Sequence, residues 1–151
     1  MKKFLTVALL VLVCACCLTS CASVEQEIGK KISVAAVEAV AAELAQNGVE
    51  YELVTDEEPL DQAALVVEEA LGTALLGDLT AYLEGAYIDS ESGVLVEYYT
   101  YGFSAAADAD AVEQMLLKKY DEQIKENKVI VVNGGYIVSL TLSSVAIEQG
   151  E

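Results

Sequence analysis

The apolar residues of this chain change their spacing partway along, and that change constrains the fold more than any other feature. Before Gly85 they recur every three or four residues, the period of one helix face. After it they mostly alternate, the period of a half-buried strand. Over 24–47, Ile28, Ile32, Ala36, Val40 and Leu44 recur every fourth position with Val37 and Ala41 beside them, so an amphipathic helix is predicted, stopped by Asn47-Gly48. Val49, Tyr51 and Leu53 alternate with Glu50 and Glu52, which suggests a short strand or an extended link. Thr55-Asp56-Glu57-Glu58-Pro59 is a helix-start signature, since acidic residues and proline suit a first turn. A helix is predicted over 60–71, with Gly72 ending or kinking it, and a second short helix over 73–83, loosened by Gly77.

Beyond Gly85, strands are predicted at 86–89 and 94–103, joined through Ser90-Glu91-Ser92-Gly93. A helix follows over 108–127, in which Asp110 and Glu113 have capping-box spacing. Val112, Leu116, Tyr120 and Ile124 form its stripe, with Met115 alongside. A second hairpin joins 129–132 to 135–142 through Asn133-Gly134, the pair favoured in a type I′ turn because both central residues need positive φ. Val138, Leu140 and Leu142 alternate with Ser139, Thr141 and Ser143, so one face of that strand is wet. The expected class is α+β: N-terminal helices followed by a ββαββ antiparallel sheet with one helix packed on it.

Charge narrows the functions open to such a domain. The 151 residues hold 25 acidic and 8 basic side chains, a formal charge of −17, and every basic residue is lysine. Phosphate-backbone binding needs clustered cations, so no nucleic-acid partner is expected. Histidine is absent, and with it the usual general base near neutral pH and the commonest metal ligand. Hydrophobic residues make up 54% of the chain, too many for a disordered acidic tail.

The N-terminal segment reads as an address and not as part of the fold. Met1-Lys2-Lys3 is positive, residues 4–18 are apolar except for Thr6, and small residues follow. This is the layout of a secretory signal, and the run is shorter than the roughly 20 apolar residues that span a bilayer. Cys14, Cys16 and Cys17 lie inside it and would leave with it, so they offer no thiolate metal site. No cysteine follows Cys21, so a domain at 21–151 must rely on its core and not on disulfides. Losing Lys2 and Lys3 takes the charge from −17 to −19.

Leu18-Thr19-Ser20-Cys21 resembles the lipobox of bacterial lipoproteins: an aliphatic residue, two small residues and the modified cysteine. The resemblance implies a signal peptide at 1–20, lipidation of Cys21 on sulfur, and a membrane-anchored protein facing the extracytoplasmic side. Two acyl chains suffice for stable anchoring, although anionic lipid repels so acidic a domain. Phe103-Ser104-Ala105, Ala107-Asp108-Ala109-Asp110-Ala111 and Gly134-Gly135-Tyr136-Ile137-Val138 are similar to segments of small acidic lipoproteins of anaerobic Gram-positive bacteria, whose domains have no assigned function. That similarity implies no activity, ligand or protein partner.

Two groups of residues remain as candidate sites. Asp89, Glu91 and Glu97 invite a calcium reading, but the spacing departs from an EF-hand and a polar turn accounts for it. Tyr99, Tyr101 and Phe103 share one strand face and form either an aromatic platform for a ligand or part of the core; the helices have apolar faces to bury, which favours the core. No nucleophile elbow, Ser-Lys pair or glycine-rich phosphate loop is present. Paired carboxylates could serve a hydrolase, but 25 acids give that idea no discrimination. The expectation is a non-enzymatic binding or structural domain with no cofactor and no metal, with a cation or small-solute binder as the alternative.

Overall fold

Five strands make one antiparallel sheet: β1 (Glu50–Val54), β2 (Leu79–Ile88), β3 (Val94–Phe103), β4 (Val129–Asn133) and β5 (Ile137–Val145), in the order β1-β2-β3-β5-β4. The computed structural model describes the backbone of residues 2–145 and the side chains of residues 23–144. The lipobox and the cysteines at 14, 16, 17 and 21 therefore lie outside the described side chains. Helix α1 (Lys2–Gln46) packs on one face of the sheet; α2 (Glu57–Leu71), α3 (Ala106–Lys119) and α4 (Asp121–Lys125) lie on the other. The result is an α+β fold, a helix-covered antiparallel sheet.

Each face has its own core. On the α1 side Val37, Ala41 and Leu44 meet Val49, Ala81 and Leu83. On the other side Leu60 and Val67 of α2 and Ala109, Val112 and Leu116 of α3 meet Leu79, Phe103, Val138 and Leu140. Alternation along β3 decides which residue goes where: Tyr99, Tyr101 and Phe103 face α2 and α3, while Val96, Tyr98 and Thr100 face away from them. A register shift between Leu79 and Ala81 turns β2, so that Leu79 joins one core while Ala81 and Leu83 join the other. Each side chain sealed this way, such as the fully buried Leu83, contributes about 1.5–3 kcal/mol.

The buried line of α1 differs from the expected one by a single position. It runs through Gly29, Ser33, Val37, Ala41 and Leu44, while Ile28 and Ile32 stay 49% and 47% exposed. Close approach explains the rotation. A Cβ on Gly29 would overlap the Ser104 carbonyl oxygen, and Ser33 reaches the β2 residue Thr80 with a 2.7 Å hydrogen bond between buried hydroxyls. Small residues therefore face the sheet and isoleucines do not.

Residues 73–83 correct the sequence reading. They form no helix: a loop runs to Asp78 and β2 starts at Leu79. Leu79 pairs with Phe103 of β3, and Tyr82 and Leu83 pair with both β1 and β3; this pairing decides in favour of strand. Gly72 ends α2 at φ 73°, its N–H donating to the Glu68 and Glu69 carbonyls. The predicted helix over 108–127 starts earlier, at Ala106, and breaks at Tyr120, which leaves the helical region at φ −110°, ψ 21°. The Asn133-Gly134 turn is not type I′, because the positive φ belongs to Gly135, at 95°. Here the Gly134 N–H donates to the Ile137 carbonyl and the Asn133 side chain accepts from the Gly135 N–H.

Candidate functional site

Helices α2 and α3 cross the same sheet face without meeting along their whole length, and the gap between them is a cavity of about 270 Å³. Its floor is Tyr99 and Tyr101 of β3 with Leu140 and Leu142 of β5. One wall is Val66, Val67 and Ala70 of α2; the other is Val112, Met115, Leu116 and Lys119 of α3, with Tyr120 at the end. The surroundings are apolar apart from the tyrosine hydroxyls and Lys119, whose Nζ lies 5.2 Å from the centre of the Tyr120 ring.

The tyrosines are fixed by neighbours on the same sheet face. Tyr99 donates to Glu97 at 3.0 Å and Tyr82 donates to Glu84 at 2.9 Å, while the Tyr82 and Tyr101 rings tilt together with centres 5.2 Å apart. Burial pushes the Tyr99 hydroxyl up to about 12, helped by its bond to the Glu97 carboxylate. Burial likewise raises Tyr82, with the Glu84 bond adding to it, and raises Tyr101, beside Tyr120 and Glu84. All three stay neutral at physiological pH and present hydroxyls, not charge.

Tyr99 and Tyr101 are half-buried and line the cavity. Phe103 is fully buried with Leu79 and Ala109, so it belongs to the core and offers no surface to a ligand. Asp89 accepts the Glu91 N–H at 3.0 Å and the Ser92 hydroxyl at 2.6 Å, forming an Asx-type turn. The Ser92 bond first, and then the Glu91 N–H, hold its carboxyl below the ordinary range. Among the described residues no group of three or more acids gathers where it could hold a metal ion, and no helix is long and apolar enough to cross a membrane.

A second, polar cleft of about 540 Å³ lies beside α2, lined by Glu57, Asp61, Glu68, Asp78 and Lys30 among others. Its wall is the loop 72–78, and three side chains tie that loop down. Asp108, buried in the first turn of α3, accepts the Leu76 and Gly77 N–H groups, both at 2.8 Å. Ser104 accepts from the Asp78 N–H at 2.7 Å, and Glu68 accepts from the Leu75 N–H at 2.9 Å. Local sequence spacing marks none of these contacts. The run Ala107-Asp108-Ala109-Asp110-Ala111 makes Asp108 and Asp110 look alike, yet one is buried and the other exposed. Asp110 and Glu113 do not form a capping box; both accept from the Asn133 side chain, at 2.8 and 3.0 Å, and clamp the β4–β5 turn.

Comparison of the chain with family models, with curated proteins and with solved structures finds no match.

Proposed function

We propose that this chain is a lipid-anchored protein of the cell envelope, tethered through Cys21 on the extracytoplasmic side, that acts by binding and not by catalysis. The tether is inferred from Leu18-Thr19-Ser20-Cys21, and replacing Cys21 by Ala tests it: the variant should lose labelled lipid and membrane retention. The binding reading is carried by the cavity between α2 and α3. A small apolar group, or the apolar side chain of a peptide, fits its volume, and the Tyr99 and Tyr101 hydroxyls supply the polar contacts that orient it. The neutral dye N-phenyl-1-naphthylamine is a suitable probe. Its fluorescence should rise in wild-type protein. It should fall back in Ala70→Phe, which adds a ring to an exposed position on the cavity wall. Equal dye binding by a folded Ala70→Phe protein would remove the cavity from consideration.

A second reading, a small cationic solute, is favoured by the acids around the cleft beside α2. Glu57, Asp61, Glu68 and Asp78 outnumber Lys30 there. Spermidine should then raise the melting temperature of wild-type protein more than that of Asp61→Asn, at matched ionic strength.

A further inference from the structure

β4 forms one side of the sheet and pairs there with β5. The Ser143 N–H donates to the Lys128 carbonyl at one end of this pairing, at 2.8 Å, and the Gly134 N–H donates to the Ile137 carbonyl at the other, at 2.9 Å. Backbone groups alternate in direction along an antiparallel pair. Residues 128, 130, 132 and 134 therefore face β5, and Val129, Val131 and Asn133 turn their N–H and C=O groups outward. Side chains alternate as well. Val129 and Val131 pack into the core beneath α3, whereas Ile130 and Val132 sit on the face that α1 leaves open and are 58% and 55% exposed. The opposite edge strand, β1, carries exposed Glu50 and Glu52, charges that discourage strand addition; β4 carries no charge from Val129 to Asn133.

We propose that β4 is a self-pairing edge, to which a second copy of this chain adds its own β4, antiparallel, about a two-fold axis at Val131. The strand is complementary to itself in this register. Val131 faces the partner's Val131 with both backbone groups outward, and Val129 faces the partner's Asn133 in the same way. Ile130 then faces the partner's Val132 as a non-hydrogen-bonded pair, the kind whose side chains lie closest. The two-fold gathers four exposed apolar side chains into one patch, an isologous contact that closes and does not propagate. The flanking lysines do not set the direction, because within each copy Lys125 is paired with Asp121 and Lys128 with Glu126. The two-fold sets it, since only antiparallel pairing of the two strands closes an isologous contact.

Co-purification of two full-length copies carrying different affinity tags, co-expressed and extracted in detergent at about 0.15 M salt to screen the acidic surfaces, tests this. Wild-type copies should co-purify. Ile130→Lys in both copies, or Val132→Glu in both, should lower recovery about tenfold. One copy with Ile130→Lys and the other with Val132→Glu should recover most of the wild-type yield, because position 130 faces the partner's position 132. An unfolded variant could not be rescued by its counterpart, so rescue separates loss of pairing from loss of fold. Absence of wild-type co-purification, indifference to Ile130→Lys, or failure of the mixed pair to recover would each overturn the proposal.

Discussion

Asp108 is where a single residue bears most on the architecture. The residue is 3% exposed, and its carboxylate has as partners two backbone N–H groups of a loop some thirty positions earlier in the chain. Asp108→Ala would leave the Leu76 and Gly77 N–H groups without an acceptor, at about 1–3 kcal/mol for each such group that stays buried. Urea unfolding should show a loss in that range or above it, and Asp108→Asn, which keeps one acceptor oxygen, should lose less. The tyrosines carry a second expectation at this scale. Tyr82, Tyr99 and Tyr101 ionise in the unfolded chain near pH 10 but are held higher in the fold, Tyr99 at about 12. Their raised values stabilise the fold fully below pH 10, and that contribution is lost as pH rises through the folded values. Denaturant midpoints should therefore hold up to pH 10 and fall beyond it, and absorbance at about 295 nm should show a delayed phenolate transition that Tyr99→Phe reduces in amplitude. The tyrosine stripe was legible because period-two spacing puts 99, 101 and 103 on one face whatever covers it. Asp108 was not, since burial of one carboxylate in an alanine-rich turn depends on a loop that local spacing does not reveal.

At the scale of elements, α3 tests how a predicted stripe becomes a packed one. Val112 and Leu116 are buried in the core, and Tyr120 and Ile124 pack against it even though the helix breaks between them. Leu116→Ala should cost about 2–5 kcal/mol. Lys118→Ala, about 200° further round the helix and exposed, should be close to neutral. Equal losses would mean that a different face of α3 meets the sheet. Helix α1 offers the converse case, because its contact depends on what a residue lacks. Gly29→Ala must push α1 away from the Ser104 carbonyl and Tyr136, so a helix-favouring substitution should destabilise the protein by more than 1 kcal/mol, while Ala35→Gly, on the exposed side, should cost only about 1 kcal/mol through lost helix propensity. Hydrophobic periodicity could not place Gly29 and Ser33 on the buried line, because it weights isoleucine above glycine. Strand β3 was legible from end to end, since alternation and its flanking turn both marked it. The first half of β2 was not: Leu79 becomes strand through its partner Phe103 in β3, far away in sequence, and Thr80 sits at the register shift beside it.

For the molecule as a whole, charge is the one long-range term that composition and structure describe together. The described ion pairs, Lys125 with Asp121 and Lys128 with Glu126, are both 2.6 Å long and solvent-exposed, so each contributes little. Four of the six lysines from Lys30 onward lie in α3, in α4 and just before β4, whereas the acids are spread over every element except β4 and β5. The domain consequently repels itself when folded, and unfolding relieves the repulsion by separating like charges. Raising sodium chloride from about 0.01 M to 0.3 M shortens the screening length from about 30 Å to well under 10 Å, which should remove most of that penalty. The melting temperature of residues 22–151 should rise by several degrees, since about 1 kcal/mol corresponds to roughly 4 °C for a domain of this size. Calcium and magnesium should act alike at matched ionic strength if the acids serve only as a diffuse field, because a general field does not distinguish cations of equal charge. A saturable shift specific to calcium would instead require a built site with several oxygen ligands. The Asp89 turn is then the first place to look, since Glu91 lies in the same turn, and Asp89→Asn should abolish that selectivity while leaving the response to sodium chloride intact.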